Sequence, residues 1–263
     1  MLKLIKANQK NFLSNLSVIL EKRKTKNPNI DTKIKFIIKD VKKNKDLALI
    51  KYEKKFSKLK NITLNNIKFT KVEKNKIIKK LDKKTKVSID LAYDRILKFH
   101  KKQKLSSFSF VDQFKNSFSY KSNPIKKVGV YVPGGLASYP SSVLMNCIPA
   151  IVAGVKNIYM ATPSMGINYN PAVIYAAKKC KIKEIYKIGG AQAIAAMAYG
   201  TKIVNKVDKI VGPGNAYVAA AKKQVFGDVG IDMIAGPSEV TIVADKWSKP
   251  DWIAADLIAQ AEH

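Results

Sequence analysis

Apolar residues change their spacing once along this chain, and the change divides it. Up to about residue 105 they recur every three or four positions: Ile34, Ile37, Ile38 and Val41, then Leu47, Leu49, Ile50 and Phe56. A third stripe runs through Ile77, Ile78, Leu81, Val87, Leu91, Ile96, Leu97 and Phe99. That period lays apolar side chains along one face of a helix, so this region is predicted to be mostly helical. Asp31, after Pro28 and Asn29, is positioned to cap the first helix, and His100 and Gln103 close the last. Residues 105–122, rich in Ser, Phe and Tyr, read as short strands forming a hairpin or an edge.

From residue 128 onward short apolar runs alternate with helical stretches. Strands are predicted at Val128–Val132, Asn157–Ala161, Glu184–Ile188 and Lys206–Val211, with further extended segments at Ile231–Ile234 and Glu239–Ala244. Helices are predicted at Ser141–Val155, Pro171–Lys179, Ala191–Tyr199, Ala216–Phe226 and Pro250–His263. Strands joined by helical crossovers of this length form a parallel or mostly parallel sheet with right-handed connections. The expected architecture is α/β: a helical, lysine-rich region with short strands over 1–124, a Rossmann-like sheet domain over 125–235, and the start of a second α/β unit over 236–263.

Three glycine-rich turns each follow an apolar run and open onto a helix: Val132–Gly135, Gly189–Gln192 and Gly212–Asn215. In a parallel sheet such turns fall on one rim, with backbone N–H groups expected to point outward at the helix starts. None matches the G-x-G-x-x-G pattern. Gln192 and Asn215 each end a turn with an amide that can bond ribose hydroxyls or a carboxamide without adding charge. Tyr131 ends its strand beside Pro133, where a ring can pack on a base or line the mouth. Taken singly, each glycine reads as a tight turn and Tyr131 as core. Three such turns on one rim favour a nucleotide site.

Charge alters this picture less than its size suggests. The net charge is +30, but residues 1–127 carry 34 Lys and 2 Arg against 10 acidic residues, a net of +26. The glycine-rich half therefore carries only +4. Arginine forks, the common readers of base edges, are nearly absent, and a solvated lysine face explains the excess better than a specific nucleic-acid site. No apolar run is long enough to span a bilayer and the N-terminus does not resemble a signal peptide. Two widely spaced cysteines, Cys147 and Cys180, argue against a disulfide framework and fit a reducing cytoplasm. Cys147 invites a thiohemiacetal role, but it lies in an apolar helix without a neighbouring cation, so packing is the better reading. Gln260 and His263 share one helix face and could supply half a zinc shell, although a solvated helix end is the default reading of the pair alone.

Taken in order, the motifs Gly-Val-Tyr131-Val-Pro-Gly-Gly, Lys-Ile-Gly-Gly-Ala-Gln192, Val-Gly-Pro-Gly-Asn215-Ala-Tyr-Val, Ile-Asp-Met-Ile-Ala-Gly-Pro-Ser238-Glu-Val and Ala-Asp-Leu-Ile-Ala-Gln260-Ala-Glu-His263 closely resemble the histidinol dehydrogenase family. The resemblance implies a zinc-dependent homodimer that oxidises L-histidinol to L-histidine through the aldehyde, using two NAD in succession, the last step of histidine biosynthesis. It implies that Tyr131, Gln192 and Asn215 contact NAD, that Ser238 contacts substrate, and that Gln260 and His263 bind both zinc and substrate. The family's proton-transferring Glu-His pair and its remaining zinc ligands would lie beyond residue 263. The sequence is therefore expected to be a fragment or a truncated product with negligible turnover on its own. Competing expectations are another NAD-dependent alcohol or aldehyde dehydrogenase, and a basic polyanion-binding module.

Overall fold

The strands beyond residue 125 are short, apolar and separated by helices, and they can bury both faces only by lying side by side between two helical layers. The computed structural model describes residues 5–8, 10–23, 28–57, 61–134, 139–163, 169–234 and 240–261. Four helices come first: α1 (Phe12–Arg23), α2 (Pro28–Phe56), α3 (Lys71–Ile78) and α4 (Lys83–Lys101). A hairpin follows, β1 (Phe108–Val111) and β2 (Ser117–Tyr120), antiparallel with Phe110 opposite Phe118. The alternating part then runs β3 (Lys127–Tyr131), α5 (Pro140–Val152), β4 (Asn157–Ala161), α6 (Pro171–Lys179), β5 (Glu184–Tyr186) and α7 (Gly190–Tyr199). It ends with β6 (Lys209–Val211), α8 (Ala216–Val225), β7 (Gly230–Ile231) and α9 (Pro250–Ala261).

All five strands of the larger sheet are parallel, in the order β5-β4-β3-β6-β7. From β3 the chain winds outward through β4 to β5. It then returns over the opposite face through α7 and adds β6 on the far side of β3. Helices α5 and α6 pack in one apolar cluster with Val130, Met160 and Ile185, while α7 and α8 pack in a second with Tyr131, Ala161 and Tyr186. The order reverses between β3 and β6, which opens a crevice beyond the carboxyl ends of those two strands.

The N-terminal helices thicken both layers. Ile34, Ile37, Ile38, Val41 and Leu49 of α2 join the α7/α8 cluster, and Ile89 of α4 joins the α5/α6 cluster. Residues Ile67 to Phe69 run along the free edge of β5, where Phe69 N–H donates to the Ile185 carbonyl and Lys187 N–H to that of Ile67. That edge is therefore partly covered.

Several boundaries differ from expectation for local reasons. Asp31 falls inside the first turn of α2 and is not its cap, because the helix already begins at Pro28. The third apolar stripe divides into α3 and α4, because Asp82 accepts from Thr85 N–H and starts a new helix. β6 and β7 are shorter than their apolar runs, and residues 240–244 form no strand. Cys147 and Cys180 are both buried, and the neighbouring Cys180 together with burial pushes the Cys147 thiol well up, as its apolar helix implied.

Candidate nucleotide rim

The turns after β3, β4, β5 and β6 meet at the carboxyl margin of the sheet. A Cβ on Gly134 would lie 2.3 Å from the Pro163 carbonyl oxygen, and one on Gly189 would lie 2.4 Å from Pro163 Cβ, so both glycine turns seat against the loop after β4. On the other side, Gly212 adopts φ +113° with its Cα against the Tyr131 carbonyl, where a side chain would sit 2.1 Å from that oxygen. Only glycine fits a left-handed backbone that close to a neighbouring strand. The three turns singled out in the sequence thus share one rim, the first of them described only as far as Gly134.

The helix starts do not present bare N–H groups there, contrary to the sequence expectation. At α7 the Gly189 N–H donates to Glu53 Oε1 (2.9 Å) and the Gly190 N–H donates to the Tyr131 hydroxyl (3.0 Å). At α8 the Asn215 Oδ1 accepts from the N–H groups of Tyr217 and Val218, both at 3.1 Å. The protein satisfies these donors itself, so the positive ends of α7 and α8 are largely answered by its own oxygen atoms.

The expected amides and ring occupy specific places in this arrangement. Gln192 is buried in the first turn of α7, and its Nε2 donates to Glu53 Oε1 at 2.8 Å. Asn215 is exposed at the rim, with its Oδ1 taken by the cap. Tyr131 lies in the core under Gly190, away from any open mouth, and burial pushes its hydroxyl up to about 12. Gln260 lies in α9, which begins at Pro250 after the sheet has ended. Ser238 and His263 fall outside the described residues.

Three residues that the sequence reading did not single out tie the rim together. Glu53, almost wholly buried, comes from α2. Desolvation pushes its carboxyl up to about 7 against the pull of the Gly189 and Gln192 donors. Lys222 of α8 is buried, and its Nζ donates to the Gly212 carbonyl (2.9 Å) and to Asp232. Asp232, just past β7, accepts from Gly212 N–H at 2.8 Å. Lys222 and Asp232 therefore hold the Gly212 turn from both of its backbone groups. Asp232 stands in a motif that the sequence made visible. Glu53 is one of four acidic residues in a lysine-rich helix, and its partners lie far along the chain.

A groove of about 350 Å³ lined by Lys206, Asp208, Phe226 and Asp228 lies at the opposite margin, where β6 and β7 begin, and shares no residue with the rim. Among the described residues no three His, Cys, Asp or Glu side chains gather to hold a metal ion. The described residues alone do not make a zinc shell.

A doubly wound parallel sheet with its glycine turns on one rim defines a Rossmann-like α/β class of fold. Within that class the relationship is specific: the sequence model of histidinol dehydrogenase matches residues 20–263, and the chain belongs to that family. It is 60% identical over 264 residues to the histidinol dehydrogenase of Pelagibacter ubique, spanning 100% of this chain and 60% of that protein. The Rhodopseudomonas palustris enzyme is 48% identical over 252 residues, spanning 96% and 58%. The crystal structure of histidinol dehydrogenase from Elizabethkingia anophelis superposes with a TM-score of 0.83 at 42% identity, over 91% of this chain and 55% of that one. The chain thus spans about 60% of the length of the curated relatives it matches.

Proposed function

We propose that this chain forms the dinucleotide-holding part of an enzyme that oxidises L-histidinol to L-histidine through the aldehyde, passing two hydrides in succession to NAD. The supporting observation is that the Gly134, Gly189 and Gly212 turns share the carboxyl rim of the sheet, the first two against Pro163 after β4 and the third against Tyr131 of β3, with Gln192 and Asn215 at the starts of α7 and α8. Family membership favours this over a related alcohol or aldehyde dehydrogenase.

The chemistry of the rim suits a neutral, hydroxyl-rich ligand face. Asn215 has committed Oδ1, so Nδ2 is the atom it can turn to a ligand, as a donor. Gln192 has committed Nε2, so Oε1 is its remaining acceptor. Tyr131 accepts from Gly190 N–H and keeps its own hydroxyl proton to donate on the inner side of the turn. One donor and one acceptor at the rim match a ribose diol or the carboxamide of nicotinamide. NAD supplies the hydride acceptor, and the residues named here orient it. In the same reading Ser238 contacts substrate, Gln260 and His263 contribute to zinc and substrate binding, and the working protein is a cytoplasmic homodimer.

Calorimetric titration of the chain with NAD tests the reading. Saturable binding is expected, weakened about tenfold by Asn215→Ala, in line with the loss of one hydrogen bond of about 1.4 kcal/mol. Absence of NAD binding by the unaltered chain would overturn it.

A further inference from the structure

Ionised Glu53 can only accept hydrogen bonds, so against that form the Gln192 amide turns its nitrogen toward Glu53 and its oxygen away. Oε1 comes to rest against Gly190, the first residue of α7, where a Cβ on that glycine would lie 2.9 Å from it. The same Glu53 oxygen holds Gly189 N–H, so one atom fixes both the turn and the amide that follows it. Glu53 itself is held in place, since α2 lies along α7 with a matching contact at the other end. There Lys45 Nζ donates to the carbonyls of Tyr199 (3.3 Å) and Gly200 (3.1 Å). An acid at the N-terminus of α7 and a cation at its C-terminus, both from one neighbouring helix, oppose the macrodipole at each end.

We propose that Glu53 is a positioning residue of the dinucleotide site, which fixes Gln192 so that it presents a hydrogen-bond acceptor to a ribose hydroxyl or carboxamide N–H of the ligand. This rests on the reading of the rim as a dinucleotide site and names one polarity within it. Glu53 touches no ligand and acts through Gln192. The ionisable side chain facing it from the sheet is Tyr131, whose hydroxyl the Glu53 charge also raises.

The test is a pair exchange read by NAD calorimetry on the whole chain. Gln192→Glu sets two acids against each other and is expected to weaken NAD binding at least tenfold at pH 8. Adding Glu53→Gln restores one acid and one amide in swapped places, leaves an acceptor oxygen at position 192, and is expected to recover binding to within about threefold of the unaltered chain. Glu53→Ala is expected to weaken binding about tenfold alone and less than twofold in a Gln192→Ala background, because the residue acts through that amide. Should the alanine variant fail to fold, the exchange decides alone, since it keeps volume and hydrogen-bonding capacity. Failure of the exchange to restore binding, or equal losses in both backgrounds, overturns the role of Glu53 while the dinucleotide reading stands. No NAD binding by the unaltered chain overturns that reading and this assignment with it.

Discussion

Glu53 shows how far one buried group can couple stability to pH. Its folded-state carboxyl titrates at about 7 against an ordinary 4.5, because burial penalises the charge more than the Gly189, Gln192 and Ser57 donors reward it. A raised acid favours the folded state while it is protonated. Its contribution is therefore complete below about pH 4.5 and lost as pH rises through about 7, on the order of 3 kcal/mol in all. Urea unfolding of Glu53→Gln is expected to be flatter than the unaltered chain between pH 5 and 8, and parallel curves would refute the assignment. Lys222 is the opposite case, a buried cation whose partners stay behind when it goes. Lys222→Met is expected to cost about 3 kcal/mol in the same assay, because Asp232 and the Gly212 carbonyl lose their shared donor. At this scale the sequence singled out Gln192, Asn215 and Tyr131 as candidates, because each stands next to a glycine turn. It concealed Glu53 and Lys222, whose partners lie on other elements. The Tyr131 ring is buried in the core, the reading favoured for that residue taken singly, because every β3 residue after Lys127 is buried.

Among elements, α2 carries an unusual interruption. Lys45 sits at φ 50°, ψ −123° inside the helix, a left-handed backbone that glycine adopts without strain. The kink turns Lys45 toward the end of α7, while the next residue, Asp46, accepts from Lys202 N–H at 2.9 Å. Lys45→Gly relieves the backbone and loses the carbonyl contacts, whereas Lys45→Ala loses the contacts and keeps the strain. The glycine variant is expected to be about 1 kcal/mol more stable than the alanine one in chemical unfolding. The strands and helices of the alternating part were legible because each apolar run is bounded by glycine, proline or asparagine. Asn157–Ala161 and Pro171–Lys179 keep their predicted limits. The α2 kink was not legible, since Lys45 lies between two well-formed apolar stripes and its conformation is imposed by α7.

At the scale of the whole molecule, apolar surface stands open on the hairpin and on α9 among the described residues. Phe108, Phe110, Phe118 and Tyr120 project from one face of the β1/β2 hairpin as stacked pairs, and Trp252, Leu257 and Ile258 are exposed on α9. Apolar surface of this extent favours association. Sedimentation of the chain is expected to show concentration-dependent self-association, reduced in a Phe110→Ser, Phe118→Ser double variant whose unfolding midpoint is unchanged. A midpoint shift or unaltered sedimentation would refute that view of the hairpin. The lysine excess of the N-terminal half has a separate signature. Binding to a polyanion should collapse between low and near-physiological salt, while NAD binding persists.

The reach from Glu53 to Gly189 spans 136 residues. On a ribosome, at the usual pace of synthesis, α2 emerges roughly 10 s before the helix it flanks. During that interval its isoleucine-rich face and its future buried acid are both in water. The order of birth is thus the reverse of the order of need, and the nascent chain must keep an adhesive helix unattached until its counterpart arrives.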